Sequence, residues 1–267
     1  TKNRKTFFLV SMPKYFDIHS HLNFPESWTD FDSVIKRLKE TETHTITVGT
    51  DLESSKKAVA LAEKYDEIYA CIGIHPVDDP NQSFDKSEFE KLVGHPKVVA
   101  VGECGMDFFH ASKEEDYSRQ EKLFLEQLNF AILNEKPIMV HARDAYEELL
   151  NLLEPLKKVH GDKLKGNVHF FAGNTEIAKR FFDIGFSISF TGVITFASDY
   201  NEVIRSAPID KIMSETDSPY VAPVPHRGKK NEPSYVNEVV KKIADIRGED
   251  LETVRSALVN NALSMLG

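Results

Sequence analysis

Six residues of this chain are of the types that hold divalent cations, and each stands at or just after an apolar run: His19, His21, Glu103, His141, His169 and Asp217. His19 and His21 form a His-x-His step. In an extended strand residues i and i+2 point to the same side about 6.6 Å apart, so two imidazoles can converge on one ion at roughly 2.0–2.1 Å from each nitrogen. Alone, such a pair is more often two surface or core-satisfied histidines. It gains weight here from the apolar strand before it and from Asp17 and Ser20 as polar neighbours. Glu103 follows Val-Ala-Val-Gly, and a carboxylate ending a buried strand is costly unless it is paired or binds a cation. His141 follows Pro-Ile-Met-Val, His169 sits inside Asn-Val-His-Phe-Phe-Ala-Gly, and Asp217 lies in Ser-Glu-Thr-Asp-Ser-Pro. Each has a plain alternative: a hydrogen-bonded core histidine, a salt-bridged glutamate, a turn-capping aspartate. Together, four histidines and two carboxylates at strand ends are hard to explain as packing.

Nitrogen and carboxylate ligands suit Zn²⁺, Mn²⁺, Fe²⁺ or Co²⁺, whereas Mg²⁺ sites usually prefer oxygen and water. Six ligands exceed the three that an open catalytic zinc site needs. Two divalent metal ions sharing a carboxylate fit better, with Mg²⁺, Mn²⁺ and Zn²⁺ all left open. Glu103 is the natural bridge, because it lies between the two ligand groups in chain order. Two cations roughly 3.5–4 Å apart suit in-line displacement at phosphorus by an activated water. The same chemistry serves carbonyl carbon, so an ester or amide hydrolase, including one for aminoacyl-tRNA esters, stays open. A non-catalytic, metal-stabilised binding module is a third reading, which the full ligand set disfavours.

Positioning these residues requires a particular scaffold. Short β-rich runs at 15–19, 45–49, 69–74, 98–103, 137–141, 167–170, 186–190 and 211–215 alternate with amphipathic segments such as 54–64, 115–133 and 175–183. Asp51 and Asn174 occupy N-cap positions, and Gly185 follows the third of these helices where a C-terminal glycine belongs. Eight strands alternating with helices indicate a parallel sheet, either a closed (β/α)₈ TIM barrel or an open doubly wound sheet. In a barrel, the C-terminal ends of several strands meet at one mouth. Metal-ligand types at five strand ends therefore favour the barrel.

At 267 residues the chain suits one such domain, with residues 1–14 as an N-terminal extension and 15–267 as the barrel. Phe7-Phe8-Leu9-Val10 is too short for a signal-peptide core, and Met12 is a candidate natural start with residues 1–11 ahead of it. No apolar run is long enough to span a membrane. No internal repeat or flexible linker divides the chain. Two cysteines, Cys71 and Cys104, cannot build a disulfide framework, which fits a cytoplasmic location. The net charge of −9 argues against sequence-independent coating of nucleic acid. It does not exclude an enzyme that meets phosphodiesters through bound cations. A monomer is expected.

The order of motifs Asp17-Ile-His-Ser-His-Leu, Gly73-Ile-His-Pro, Val101-Gly-Glu-Cys-Gly-Met-Asp107, Val140-His-Ala-Arg-Asp144, His169-Phe-Phe-Ala-Gly173 and Glu215-Thr-Asp-Ser-Pro219 resembles the TatD family of metal-dependent deoxyribonucleases, as do Arg227-Gly-Lys-Lys-Asn-Glu-Pro233 and Asn260-Asn-Ala. The resemblance spans about residues 15 to 267. It implies an amidohydrolase-like TIM barrel, a divalent-metal requirement and deoxyribonuclease activity of the 3′→5′ exonuclease type, with single-stranded or frayed DNA as substrate. It also implies that His19, His21, Glu103 and Asp217 hold one metal and that Glu103, His141 and His169 hold the other. Asp217, beside the nucleophilic water, would orient it and take its proton. His75, Arg143 and Arg227 are candidate substrate contacts, the last with Lys229 and Lys230 in the chain's one compact basic loop. Glu215 is a candidate to orient a ligand from behind. Trp28, with Phe24 and Phe31 nearby, either stacks bases over the mouth or covers the barrel rim, the second being favoured. Phe170 stands where a small residue is common in the family, which predicts a bulkier pocket wall, and Met106 replaces a leucine at little cost.

Overall fold

The computed structural model describes residues 12–266, and the expectations placed on residues 1–11 lie outside them. The anticipated strands form as β1 (Tyr15–Ser20), β2 (Thr43–Val48), β3 (Ile68–Ile72), β4 (Val98–Asp107), β5 (Ile138–Arg143), β6 (Gly166–Val168), β7 (Ser187–Phe190) and β8 (Ile212–Ser214). Each pairs in parallel with the next, in chain order from β1 to β8. An open doubly wound sheet would reverse that order at a switch point, so this alternative falls. The circle closes beyond β8: Ser218 bridges Ser20 in parallel, Asp217 N donates to His19 O at 2.9 Å and His21 N to Ser218 O at 2.8 Å. The fold is a TIM barrel.

Helices α1 (Phe31–Glu40), α2 (Leu52–Lys64), α3 (Lys86–Val93), α4 (Lys113–Leu133), α5 (Tyr146–His160), α6 (Thr175–Asp183), α7 (Asn201–Ser206) and α8 (Val236–Arg247) wrap the sheet. Local chemistry sets their ends. Asp51 opens α2 with a capping box, accepting from Ser54 N at 2.6 Å while Ser54 Oγ accepts from Asp51 N at 2.9 Å. Asn174 caps α6 by accepting from Ile177 N. Gly185, at φ +81°, releases the chain toward β7.

The ninth helix, α9 (Leu251–Met265), has a different task. Inside the barrel Phe16, Ile18, Ile46, Val48, Cys71, Val99 and Met139 form one apolar cluster, with Met213 at its edge. Val259, Ala262 and Met265 of α9 pack beneath it as a floor. Cys71 and Cys104 are buried free thiols, and burial pushes both well above the usual thiol range.

Two irregularities turn this dry interior into a polar mouth. Phe16 and Ile18 face inward, so strict alternation would bring Ser20 inward next and turn His19 out. The register of β1 shifts between Asp17 and Ser20, and His19 reaches the interior. On β4 the register shifts between Val101 and Cys104, around Glu103.

Candidate metal centre

The expectation that β4 ends at Glu103 needs correction. The strand continues to Asp107, buried throughout, because glycines on both sides of Glu103 let β5 come close. A Cβ on Gly102 (φ +147°) would lie 2.5 Å from Met139 O, and one on Gly105 (φ +153°) 2.0 Å from His141 O. Only glycine fits either position. The Val-Gly-Glu-Cys-Gly motif is therefore a device for setting a carboxylate against a neighbouring strand.

All six expected ligands meet around that carboxylate. Glu103 Oε2 faces His19 Nε2 at 3.2 Å and His21 Nε2 at 3.8 Å. Asp217 Oδ1 lies 3.8 Å from His19 Nε2 and 3.4 Å from His21 Nε2, and the two imidazole nitrogens are 3.3 Å apart. Four donors around one cation at roughly 2.0–2.1 Å would be separated by about 3.3–3.4 Å in a tetrahedron. This set fits a divalent ion with little movement. Glu103 Oε1 faces the other way, 2.8 Å from His141 Nδ1 and 2.7 Å from His169 Nε2, which are 3.4 Å from each other. These are hydrogen-bond lengths, so a cation seated there takes the place of the imidazole protons.

The outer faces of two of these rings are also held. His21 Nδ1 bonds Val48 O at 3.0 Å, and His141 Nε2 meets Asp107 Oδ2 at 3.1 Å. Glu215 stands 3.6 Å behind His169 Nδ1, accepting from Phe170 N and Ser189 Oγ, both at 2.6 Å. It thus stands behind the ring but beyond hydrogen-bond length of its nitrogen. Burial alone would push Glu103 up, but His169 and His19 beside it hold the carboxyl well below its usual range. His169 is held well above the usual imidazole range: burial opposes this, and Glu103 outweighs it. His19, fully buried beside the cationic His169, is lowered. An anionic carboxylate ringed by imidazoles is a donor set poised for cations.

A cavity of about 470 Å³ opens over these residues, and His75, Arg143 and Phe170 line it as the sequence suggested. His75 Nε2 lies 3.7 Å from Glu103 Oε1 and 3.4 Å from His141 Nδ1. Arg143 is exposed at the lip, its guanidinium 4.6 Å from the Phe109 ring centroid. Arg227 does not line the cavity; it lies farther out, against Phe196. Trp28 is buried and donates to His21 O at 3.2 Å, so it braces the rim and is not a stacking surface. Phe24 remains at the mouth, stacked on His21. Lys230 is not simply solvated, since its Nζ donates to Ser27 O and ties the loop after β8 to the segment after β1.

Four contributors were missed. Asp107 bonds His141 and also His110 Nδ1 at 2.7 Å. Against the opposing effect of burial, these contacts hold its carboxyl below the ordinary range. It escaped notice because the strand was ended four residues early. Asp78 places Oδ1 2.7 Å from His75 Nδ1, and an acid three residues past a strand-end histidine was the available signal. Asp17 accepts from Thr216 N at 2.8 Å and Thr216 Oγ1 at 2.7 Å, stitching β1 to the Asp217 segment. Tyr220 lines the cavity, exposed, from the loop after β8.

Comparison with known proteins agrees with this architecture. Residues 16–267 match the family model described as TatD related DNase. The chain is 37% identical to the metal-dependent hydrolase YabD of Bacillus subtilis over 92% of its own length and 96% of that protein. It is 32% identical to the metal-dependent hydrolase YcfH of Escherichia coli, over 92% of each. Among solved structures, the TatD homologue YJJV of Escherichia coli superposes with a TM-score of 0.85 at 29% identity, covering 95% of this chain and 98% of that one. In sequence and in barrel architecture, the chain belongs to the TatD family of metal-dependent hydrolases.

Proposed function

We propose that the protein is a deoxyribonuclease that removes nucleotides from a single-stranded or frayed 3′ end, using two divalent cations held on the two sides of Glu103. One observation carries the reading: the two oxygens of a single buried carboxylate face two separate ligand sets at the floor of an open cavity. His19, His21, Glu103 and Asp217 would hold one ion; Glu103, His141 and His169 would hold the other. Bound divalent ions supply Lewis acidity and a nucleophile at neutral pH.

The chain's own residues do the rest. Asp217, the most open of the ligand carboxylates at 15% side-chain exposure, orients the attacking water and accepts its proton. Arg143, over the Phe109 ring at the lip, grips non-bridging phosphate oxygens. His75 faces the same phosphate from the β3 side, with Asp78 fixing its ring. The cavity falls within the roughly 300–1,000 Å³ of small-ligand sites, suited to one nucleotide and too small for a duplex. That supports action at a strand end.

An ester or amide hydrolase bridged by a carboxylated lysine is the weaker alternative, because the bridging position is Glu103 and no lysine lines the cavity among the described residues. The test is release of nucleotides from single-stranded DNA with Mg²⁺ or Mn²⁺, comparing the protein with Glu103→Ala and running RNA and p-nitrophenyl esters in parallel. Metal-dependent release that the substitution abolishes supports the proposal. Equal release by both proteins, or turnover of esters alone, overturns it.

A further inference from the structure

Arginines in this acidic chain seldom go without a carboxylate. Eight of the nine lie among the described residues, and five of these form ion pairs, as Arg37 does with Glu232 and Arg180 with Glu154. Arg205 donates to the carbonyl of Ile246. Arg143 and Arg227 have no carboxylate partner among the described residues. Each lies instead over an exposed phenylalanine, Arg143 at 4.6 Å from the Phe109 centroid and Arg227 at 3.8 Å from that of Phe196. Phe109 is 60% and Phe196 44% exposed. All four residues follow or end strands at the mouth: β4 and β5 for the inner pair, β7 and β8 for the outer.

The inner pair borders the cavity and is accounted for by the scissile phosphate. The outer pair is not. Its arginine lies in the same loop as Lys229, another cation with no acidic partner among the described residues. Its geometry is held: Val224 N donates to Thr195 Oγ1 at 2.9 Å, joining the loops after β7 and β8, and Arg227 Nη1 donates to Ala222 O at 3.4 Å. A ring left 44% exposed beside a guanidinium is a flat surface of the kind on which unpaired bases stack, with N–H groups for the backbone beside it.

We infer that Phe196 and Arg227 form an outer subsite that stacks a base of an unpaired DNA strand whose terminal nucleotide occupies the cavity. This rests on the nuclease reading above. In a duplex both faces of each base are covered, so the subsite selects single strands.

The probe is a non-hydrolysable single-stranded oligothymidylate, with a base-free phosphodiester chain of the same length as control, titrated against the metal-loaded protein. The wild type should bind the oligothymidylate roughly tenfold more tightly than the base-free chain. Phe196→Ala should remove most of that ratio and Phe196→Trp should keep it. Arg227→Ala should also lower the salt dependence of binding by about one phosphate contact. Val159→Ala, an exposed apolar residue on α5, serves as the unaffected control. Equal binding of the two chains by wild type, or an unchanged ratio in Phe196→Ala, overturns the subsite. Failure of the nuclease reading looks different: no nucleotide release by wild type, whatever Phe196 does to binding.

Discussion

In the lower half of the barrel, Phe16, Ile46, Cys71, Val99 and Met139 meet Val259, Ala262 and Met265 of α9 in a dry cluster; in the upper half, β4 and β5 present Glu103 and His141 to a cavity, with His19 of β1 buried behind its wall. Only two residues of β1 separate Phe16 from His19, and three of β4 separate Val99 from Glu103. The floor is a set of interchangeable apolar shapes held by area removed from water. The mouth is the reverse: fully or nearly buried carboxylates and imidazoles that are costly unless each meets a partner. The floor thus stabilises a frame stiff enough to keep uncomfortable groups in place. The transition between the two is made by shifts in register, not by a change of scaffold.

If the mouth carries the chemistry and the floor the stability, substitutions at the two ends should separate these properties. Glu103→Ala should lower hydrolysis by roughly 10³-fold or more, since each cation supplies several kcal/mol to the transition state. It should also lower bound metal per protein, measured by elemental analysis, while circular dichroism stays native. Retention of both ions would break the assignment of Glu103 as the shared wall. At the floor, Phe16→Ala should cost about 3–5 kcal/mol of stability in denaturant unfolding with metal affinity of the folded protein unchanged. A parallel loss of metal affinity would show the two ends to be coupled.

The contrast sharpens further behind the ligands. Asp107→Asn leaves the shape intact and removes the charge behind His141, so metal affinity should fall by about 10–100-fold in a competition titration. An affinity equal to wild type would reduce Asp107 to a packing residue. The smallest effect is expected in the helical shell: Asn174→Ala, loss of the α6 N-cap, should cost about 1 kcal/mol and leave turnover alone.

Much of this was readable beforehand. The eight strands, the sequential barrel and the six residues around one centre follow from period, composition and the placement of His and acidic types after apolar runs. Caps at Asp51 and Asn174 were equally plain. Asp107 was not, because nothing local says that a strand containing two glycines continues past them. For Trp28 the sequence favoured the rim over base stacking, and the bond from its indole nitrogen to a carbonyl seven residues earlier supplies what holds it there. Arg227 was singled out by charge and by a resembling motif, and neither reveals that it lies outside the cavity wall, against Phe196.

What the sequence by itself determined is the class of fold and the identity of the donor set, since periodicity and residue chemistry are properties of short stretches of chain. Tertiary structure decided which oxygen of Glu103 faces which histidines, which acids stand near them and which of the described arginines lack a carboxylate partner. Those depend on contacts between residues up to about two hundred positions apart, such as Asp17 with Thr216. They depend also on close backbone approach at Gly102 and Gly105, and no local pattern encodes the distance between two strands.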